Sequence, residues 1–296
     1  MNNDLKEFGL SDEELFAPVS HSDLESEKIT APRYSYWHSV FRVFFKKKIN
    51  IIMLALLGVI VLMAYLYPQF VEYDKFANLM DSASKHLSPA KAIKQLGFSI
   101  HWILGTGASG QSTFDAVWYG SRISISLAFI CAAINMTIGV IVGAIWGFSK
   151  KFDMFMIQVY NIIANVPYLL VISVMVMLFT PSFWVMVLAF TITGWIAIAY
   201  FIRTQVIIIR DREYNLASKC LGTSTVKIAM KNILPFMTSV IVTQLATEIP
   251  SYIGMEVFLS YIGLGLSDRS LGRLIYDAEN AMVTPGWQFE FWSPVV

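Results

Sequence analysis

Charge along this chain is gathered into short stretches, with long apolar runs between them. Residues 49–67 hold no Asp, Glu, Lys or Arg over 19 positions, residues 123–149 none over 27, and residues 154–202 none over 49. A hydrocarbon core of about 30 Å takes about 20 helical residues to cross. The first two runs therefore predict one membrane-spanning helix each. The third predicts two, with Thr180-Pro181-Ser182 as the turn between them. A fifth span is expected from about Asn232 to Ser260, interrupted by Glu248, Pro250 and Glu256. The pattern is that of an all-α integral membrane protein with five visible spans.

Ahead of the first run, Trp37, Val40, Phe41 and Phe44 recur at i, i+3, i+4 and i+7, which makes one apolar helix face. With Arg42, Lys46, Lys47 and Lys48 beside it, this stretch reads either as an interfacial helix or as an ordinary basic flank to the first span. Residues 1–30 carry eight acids and two bases with no helical or strand period, as a flexible, solvated segment does. A cleaved signal peptide is not expected, because a signal's apolar stretch follows its basic end at once and here about 48 residues come first.

Composition agrees with the pattern. Apolar residues make up 56% and charged residues 15%, with a mean hydropathy of +0.57; soluble domains carry roughly 45–50% and about 25%. The net charge of +1 excludes the basic surplus of a nucleic-acid binder. Two cysteines, Cys131 and Cys220, build no disulfide framework. The Lys/Arg bias sets the orientation. With the N-terminus in the cytoplasm, stretches 33–48, 149–153 and 203–231 carry 13 basic residues on that side, against seven over the longer stretches 69–122 and 261–296. The expected organisation is an acidic cytoplasmic segment 1–32 and an interfacial helix with the first span over 33–68. An external segment 69–121 and a membrane core 122–296 follow, the core holding a cytoplasmic loop at 210–235.

Several motifs in the external segment are decoys. GTGASGQS at 105–112 has Gln111 where a phosphate-binding loop needs Lys. As G-x-G-x-x-G it lacks the buried strand and crossover helix of a dinucleotide site. Gly107-Ala108-Ser109-Gly110 matches the G-x-S-G of intramembrane serine proteases, yet His21, His38, His86 and His101 all lie upstream and outside the spans. A glycine-rich turn is the expected structure. No metal site emerges, and His86 and His101 read as solvated side chains.

The stretch EYNLASKCLGTSTVKIAMKNILP at 213–235 predicts a short helix stopped at Gly222, then a second helical period leading into span five. Leu216, Ala217, Cys220 and Leu221 share one face, and Asn215, Ser218 and Lys219 the other. Small residues permit close approach of a partner, and a rigid rod transmits displacement where a floppy loop does not. This segment resembles the EAA signature loop of ABC importer permeases: Glu213, Tyr214, Ala217, Ser218, Gly222, Ile233, Leu234 and Pro235 stand at matching positions. The glutamate that names the loop is Leu216 here. Leu104-Gly105-Thr106 with Gly110, then Tyr119-Gly120-Ser121-Arg122-Ile123-Ser124, then Leu259-Ser260-Tyr261-Ile262-Gly263-Leu264-Gly265, resemble motifs of the peptide and nickel permease group. From about Trp37 onward the chain is similar to the C-type permease subunits of oligopeptide and dipeptide importers, the Opp/Dpp/Ami group.

The resemblance implies a type I ABC importer subunit in the bacterial cell membrane, not an enzyme. Its partners would be a second, B-type permease, two ATPase subunits that bind ATP and Mg, an external peptide-binding protein and membrane lipid. The signature loop would dock in a groove of an ATPase. A nickel or other small-solute permease of the same group is the second reading, and a structural membrane subunit a third. Family members carry a further span beyond the position of Trp292, whereas this sequence reaches Val296, so the family's fold minus its final helix is expected.

Two features inside the spans complete the candidate sites. Glu248 and Glu256, eight residues apart, are separated by about 80° around a helix, so both are candidates to line one pathway cavity. The alternative for each is a structural hydrogen bond near Pro250. Gly139, Gly143 and Gly147 form a small-residue stripe suited to close helix packing, within the permease or against its partner. Asn135 on the same helix has a neighbour to bond, and Asn161, Asn165 and Pro167 mark a bend in span three.

Overall fold

The computed structural model describes residues 36–72, 81–267 and 269–281. The expectations for residues 1–32 and for a final helix near Trp292 lie outside them. The chain divides into two compact units at Leu57–Gly58, and each is described by itself.

The first unit holds α1 (Tyr36–Lys46) and the start of α2 (Lys48–Phe70). Trp37, Phe41 and Phe45 stack along α1 with ring centroids 6.1 and 6.4 Å apart, as the i, i+4 spacing allows. Helix α2 is apolar on all sides and buries only Ala64 and Pro68, both in its final turns. A helix with no polar face suits lipid on every side.

In the second unit, the residues after α2 form a small helical cap: α3 (Pro89–Leu96), N-capped by Ser88, and a turn at 105–112. Gly107 N–H donates to Gln111 O at 2.9 Å within that turn. His101 is not a solvated side chain: its Nδ1 lies 2.8 Å from Asp115 Oδ1 and 3.1 Å from Tyr67 Oη, and Tyr67 donates to the same carboxylate. The sequence offered no sign that Asp115, 14 residues on, would fold back beside it.

Helix α4 (Thr113–Phe148) runs 36 residues, about 54 Å, and starts within the stretch assigned to the external segment. Ser112 caps it and fixes its start, accepting the Asp115 N–H at 3.1 Å. The 49-residue uncharged run becomes α5 (Lys150–Ala164), α6 (Tyr168–Leu178) and α7 (Phe183–Arg210). Helices α5 and α6 meet at an angle of 71° across Asn165–Pro167. Pro167 has no N–H to continue the ladder, and Asn165 Nδ2 bonds back to Asn161 O at 2.5 Å. Ser182 caps α7, closing the turn expected at Thr180-Pro181-Ser182.

After α8 (Glu213–Cys220), the chain forms α9 (Thr225–Phe236) and α10 (Thr238–Tyr261), bent by 64° where they join, and ends its described part in α11 (Leu271–Ala281). Span five is therefore not one straight helix. Its break falls at Met237, two residues after Pro235 and just beyond the π-helical turn Ala229–Ile233, while Pro250 sits inside an unbroken α10. Among the described residues, three helices are long and apolar enough to cross a membrane, or up to five if each bent pair is one span. The chain is thus an all-α, multi-pass membrane protein.

Of the buried apolar clusters among the described residues, two larger ones tie the helices of the second unit together. One joins Leu127 and Cys131 of α4, Ile172 of α6, Phe190 of α7 and Tyr252 of α10. The other joins Met136 of α4, Ile202 and Ile209 of α7, and Ile228 and Ile233 of α9. Helices α4 and α7 are closely apposed. A Cβ built on Gly143 would lie 2.5 Å from Ala199 O, one on Gly139 2.6 Å from Ile198 Cγ2, and one on Gly147 2.6 Å from Val206 Cγ1. All three glycines face α7, where no side chain fits.

Candidate functional site

The α8 segment follows from local rules. Arg212 at its start is extended, Leu221 closes its last turn, and Gly222 at φ +79° takes the left-handed conformation that ends a helix. Ser224 then caps α9 by accepting the Lys227 N–H. Of the eight α8 residues, Asn215 is the buried one, with 2% of its surface accessible. Its Nδ2 donates to Ile209 O at 2.9 Å and its Oδ1 accepts from Asn232 Nδ2 at 3.1 Å. A single asparagine thus bonds α8 to the end of α7 and the start of the next span.

The remaining faces of α8 are turned outward. Glu213, Tyr214, Leu216 and Ala217 are exposed, Ser218 is half-buried and bonds to Tyr214 O, and Leu221 is 85% accessible. Gly222 is exposed, Ile233 is fully buried in the second core, Leu234 is partly buried and Pro235 is exposed. The apolar face expected at Leu216, Ala217, Cys220 and Leu221 exists, but it points away from the protein. The side that faces inward is the polar one carrying Asn215.

Behind α8, the ends of the spans are locked by charge. Arg203 grips Asp153 with two bonds of 2.6 and 2.9 Å, and Trp146 Nε1 donates to the same carboxylate at 2.6 Å. The guanidinium lies 5.6 Å from the Trp146 and Tyr200 ring centres, and Tyr160 stacks on Tyr200 at 4.3 Å. Paired in this way, a partly buried bidentate bridge is strong and directional. Arg210 Nη1 donates to Gly147 O at 2.5 Å, tying α7 to α4.

Deeper in the bundle, a cavity of about 520 Å³ opens at the α5–α6 break and is walled by α7 and α10. Glu248 lines it, accepting from Gln244 Nε2 at 2.9 Å, with Tyr168, Thr193 and Tyr252 nearby in the wall. Thr193 Oγ1 is buried with no protein partner. Behind Tyr252, Asn135 Nδ2 donates to Tyr252 Oη and to Phe190 O. The cavity is largely apolar, with a carboxylate and an amide set into it. That chemistry suits an extended polar chain or a cationic group.

Glu256 does not share this cavity. It is 0% accessible and accepts from Ser124 Oγ of α4 at 3.0 Å, Ser260 Oγ at 3.0 Å and Ser270 Oγ at 2.5 Å. Ser124 also accepts the Leu271 N–H, so this carboxylate fastens the start of α11 to α4 and α10. The 80° between the two glutamates is enough to put one in an open wall and the other in a closed joint. Among the described residues no cluster of three or more His, Cys, Asp or Glu is arranged to hold a metal.

Sequence reasoning named Asn215 only as part of a polar helix face, and it passed over Tyr252 and the Asp153–Arg203 pair. A signal for the last was present: these are the two charges that bracket the 49-residue uncharged run.

Comparison with known proteins supplies the family. Residues 135–296 match the sequence model of the binding-protein-dependent transport system inner membrane component, and residues 35–89 match that of the N-terminal transmembrane domain of oligopeptide transport permease C. An oligopeptide transport system permease protein of Streptococcus pneumoniae is 44% identical over 96% of this chain and 90% of its own length. An oligopeptide transport system permease protein of Bacillus subtilis is 33% identical over 94% and 88%. A dipeptide transport system permease protein of the same organism is 31% identical over 93% and 83%. With its polytopic helical fold and a matching core and N-terminal span, the chain belongs to the binding-protein-dependent transport inner-membrane components, in the oligopeptide and dipeptide permease C group.

Proposed function

We propose that this subunit forms half of the translocation pathway of an ATP-driven peptide importer, and that α8 is the rod through which an ATPase moves it. Glu213, Tyr214, Ala217, Ser218 and Gly222 supply the docking surface, and Ile233, Leu234 and Pro235 join it to span five. The observation that carries this reading is the mounting of α8. It is bonded to two spans by Asn215 and bears its apolar residues outward, where only a partner can cover them. A rod fixed at one point to two helices passes a push on to both.

In the assembly we infer, a second permease completes the pathway, two ATPase subunits hold ATP and Mg, and an external binding protein delivers the peptide. The N-terminus and the 210–235 loop face the cytoplasm, and residues 69–121 face outward. Glu248 meets the peptide's amino group within the 520 Å³ cavity. Gly139, Gly143 and Gly147 fit the packing role, since all three abut α7. Glu256 fits the structural one.

Co-purification tests the reading. Tyr214→Ala and Leu216→Asp alter only exposed side chains, and are expected to lower recovery of the ATPase subunits with the tagged permease by about tenfold while the second permease stays bound. Unchanged ATPase recovery in both variants would remove α8 as the docking rod.

A further inference from the structure

Two hollows near α8 meet at shared walls. The first, about 330 Å³ and almost wholly apolar, runs along the last turns of α4 and the outer side of α9, with Ile141, Ile145, Val226 and Met230 in its walls. The second, about 340 Å³, is polar and includes Lys150, Arg210, Asp211 and Lys219. Phe148 and Thr225 line both. An apolar trough and a cationic cup therefore adjoin across Phe148 and Thr225.

The charges in the cup do not cancel. Arg210 is occupied by Gly147 O and by the Asp211 carboxylate at 3.1 Å, which accounts for the one acid present. Lys150 and Lys219 are exposed, and neither has an ion-pair partner among the described residues. The trough spans Val140 to Phe148, about 12 Å of helix rise. With α8 at the cytoplasmic surface, that length would match the upper part of one leaflet's acyl chains, with the cup toward its headgroups.

We propose that this composite hollow binds one anionic phospholipid, its acyl chain in the trough and its phosphate between Lys150 and Lys219. The proposal rests on α8 lying at the cytoplasmic surface, where anionic headgroups are abundant. A free phosphate would leave the trough unused, and a zwitterionic lipid would leave the two lysines uncompensated. Because Lys219 belongs to α8 and Thr225 to the start of α9, the bound lipid would brace the rod against α4 and make coupling sensitive to membrane composition.

Native mass spectrometry of the complete transporter, purified in mild detergent with phosphatidylglycerol or phosphatidylcholine added, reads this directly. Each basic residue near an anionic surface contributes about fivefold. Retention of phosphatidylglycerol is expected to exceed that of phosphatidylcholine by about tenfold or more, and Lys150→Gln with Lys219→Gln to bring the two to parity. Ile141→Trp, at an exposed trough position, is expected to lower phosphatidylglycerol retention while ATPase co-purification persists. That last readout keeps failure of the lipid site distinct from failure of the docking reading. Equal retention of both lipids by the unaltered complex, or a preference that survives the lysine or tryptophan variants, overturns the proposal. So does displacement by glycerol phosphate at the same concentration, which would make this a free-anion site. Capture of a protein subunit by a photocrosslinker at Val226 would show instead that a protein covers the trough. Should the lysine variant not assemble, the Ile141→Trp result decides alone.

Discussion

The α4–α7 contact and the α8 rod are joined by a few residues of chain, yet they are built on opposite terms. From Gly139 to Gly147 of α4, every fourth residue is a glycine, and the opposing helix leaves no room for a methyl group. At α8, one buried side chain makes the attachment and most of the remaining surface is exposed. The first region has been closed by packing and resists change of any kind. The second is fixed at one point, and what happens there depends on what binds. A transport subunit needs both, since a push applied to a loose rod is lost unless it reaches spans that move as one body.

The strongest way to break the comparison is Gly143→Leu. Its Cβ alone would meet Ala199 O at 2.5 Å, and that oxygen is backbone and cannot step aside. Overpacking of this kind costs about 1–3 kcal/mol where side chains can yield, so the upper end or beyond is expected here. The readout is yield and melting temperature of the purified complex. Gly254→Ala is the control: nothing lies within 4 Å of the added methyl. In mid-helix it is expected to be neutral or stabilising by up to about 1 kcal/mol. Equal damage from both would mean that the stripe is not a special contact.

A loss of similar size is expected from Glu256→Ala. Three serine hydroxyls would lose their acceptor in a closed joint, and each buried unsatisfied group costs about 1–3 kcal/mol before the site relaxes. Glu256→Gln keeps one oxygen acceptor and is expected to recover roughly half of the lost melting temperature. Asn215→Ala comes next. It removes the Nδ2 donor that Ile209 O holds beside the Arg212 N–H and leaves Asn232 Nδ2 without its acceptor, a local loss of about 1–3 kcal/mol. The spans should melt almost unchanged while ATP hydrolysis by the complex uncouples from uptake. A global fall in stability equal to that of Glu256→Ala would show α8 to be part of the packed body after all.

What could be read from the sequence was whatever period and charge report. Uncharged runs of 27 and 49 residues gave the spans, and Pro and Ser gave the breaks at 165–167 and 180–182. The four-residue glycine stripe gave a seam, although not the helix it meets, because spacing identifies a face and never its neighbour. Asp153 and Arg203 delimited the longest run from either side, and it took the fold to bring them to 2.6 Å. Asn215 was placed on the polar face of its helix, and its bonds were not foreseen for a physical reason. A polar residue on an amphipathic helix normally faces water, but here water's place is taken by the carbonyl of Ile209 and the amide of Asn232. Likewise Glu248 and Glu256, about 80° apart, carry no sequence mark that says which is open and which closed, and the serines that gather around one of them tell the two apart.

Those two glutamates offer the finest test of the contrast between closed and open regions. Glu248→Gln changes the charge of a side chain that accepts a hydrogen bond from Gln244, four residues away on the same helix, with Tyr252 beside it in the cavity wall. An amide in its place still accepts that bond, so the melting temperature is expected to stay within about 1 °C. Uptake should respond to the substrate. If the carboxylate meets the amino group of a peptide inside the cavity, peptides with a free N-terminus should lose several-fold in transport, with the change in KM rather than in basal ATP hydrolysis. N-acetylated peptides, which carry no charge there, should be moved equally well by both proteins. A uniform loss for both substrates would instead place Glu248 in the mechanics of α10. No loss for either would leave the apolar wall, with Tyr168, Thr193, Gln244 and Tyr252 in it, to meet any cargo in this cavity.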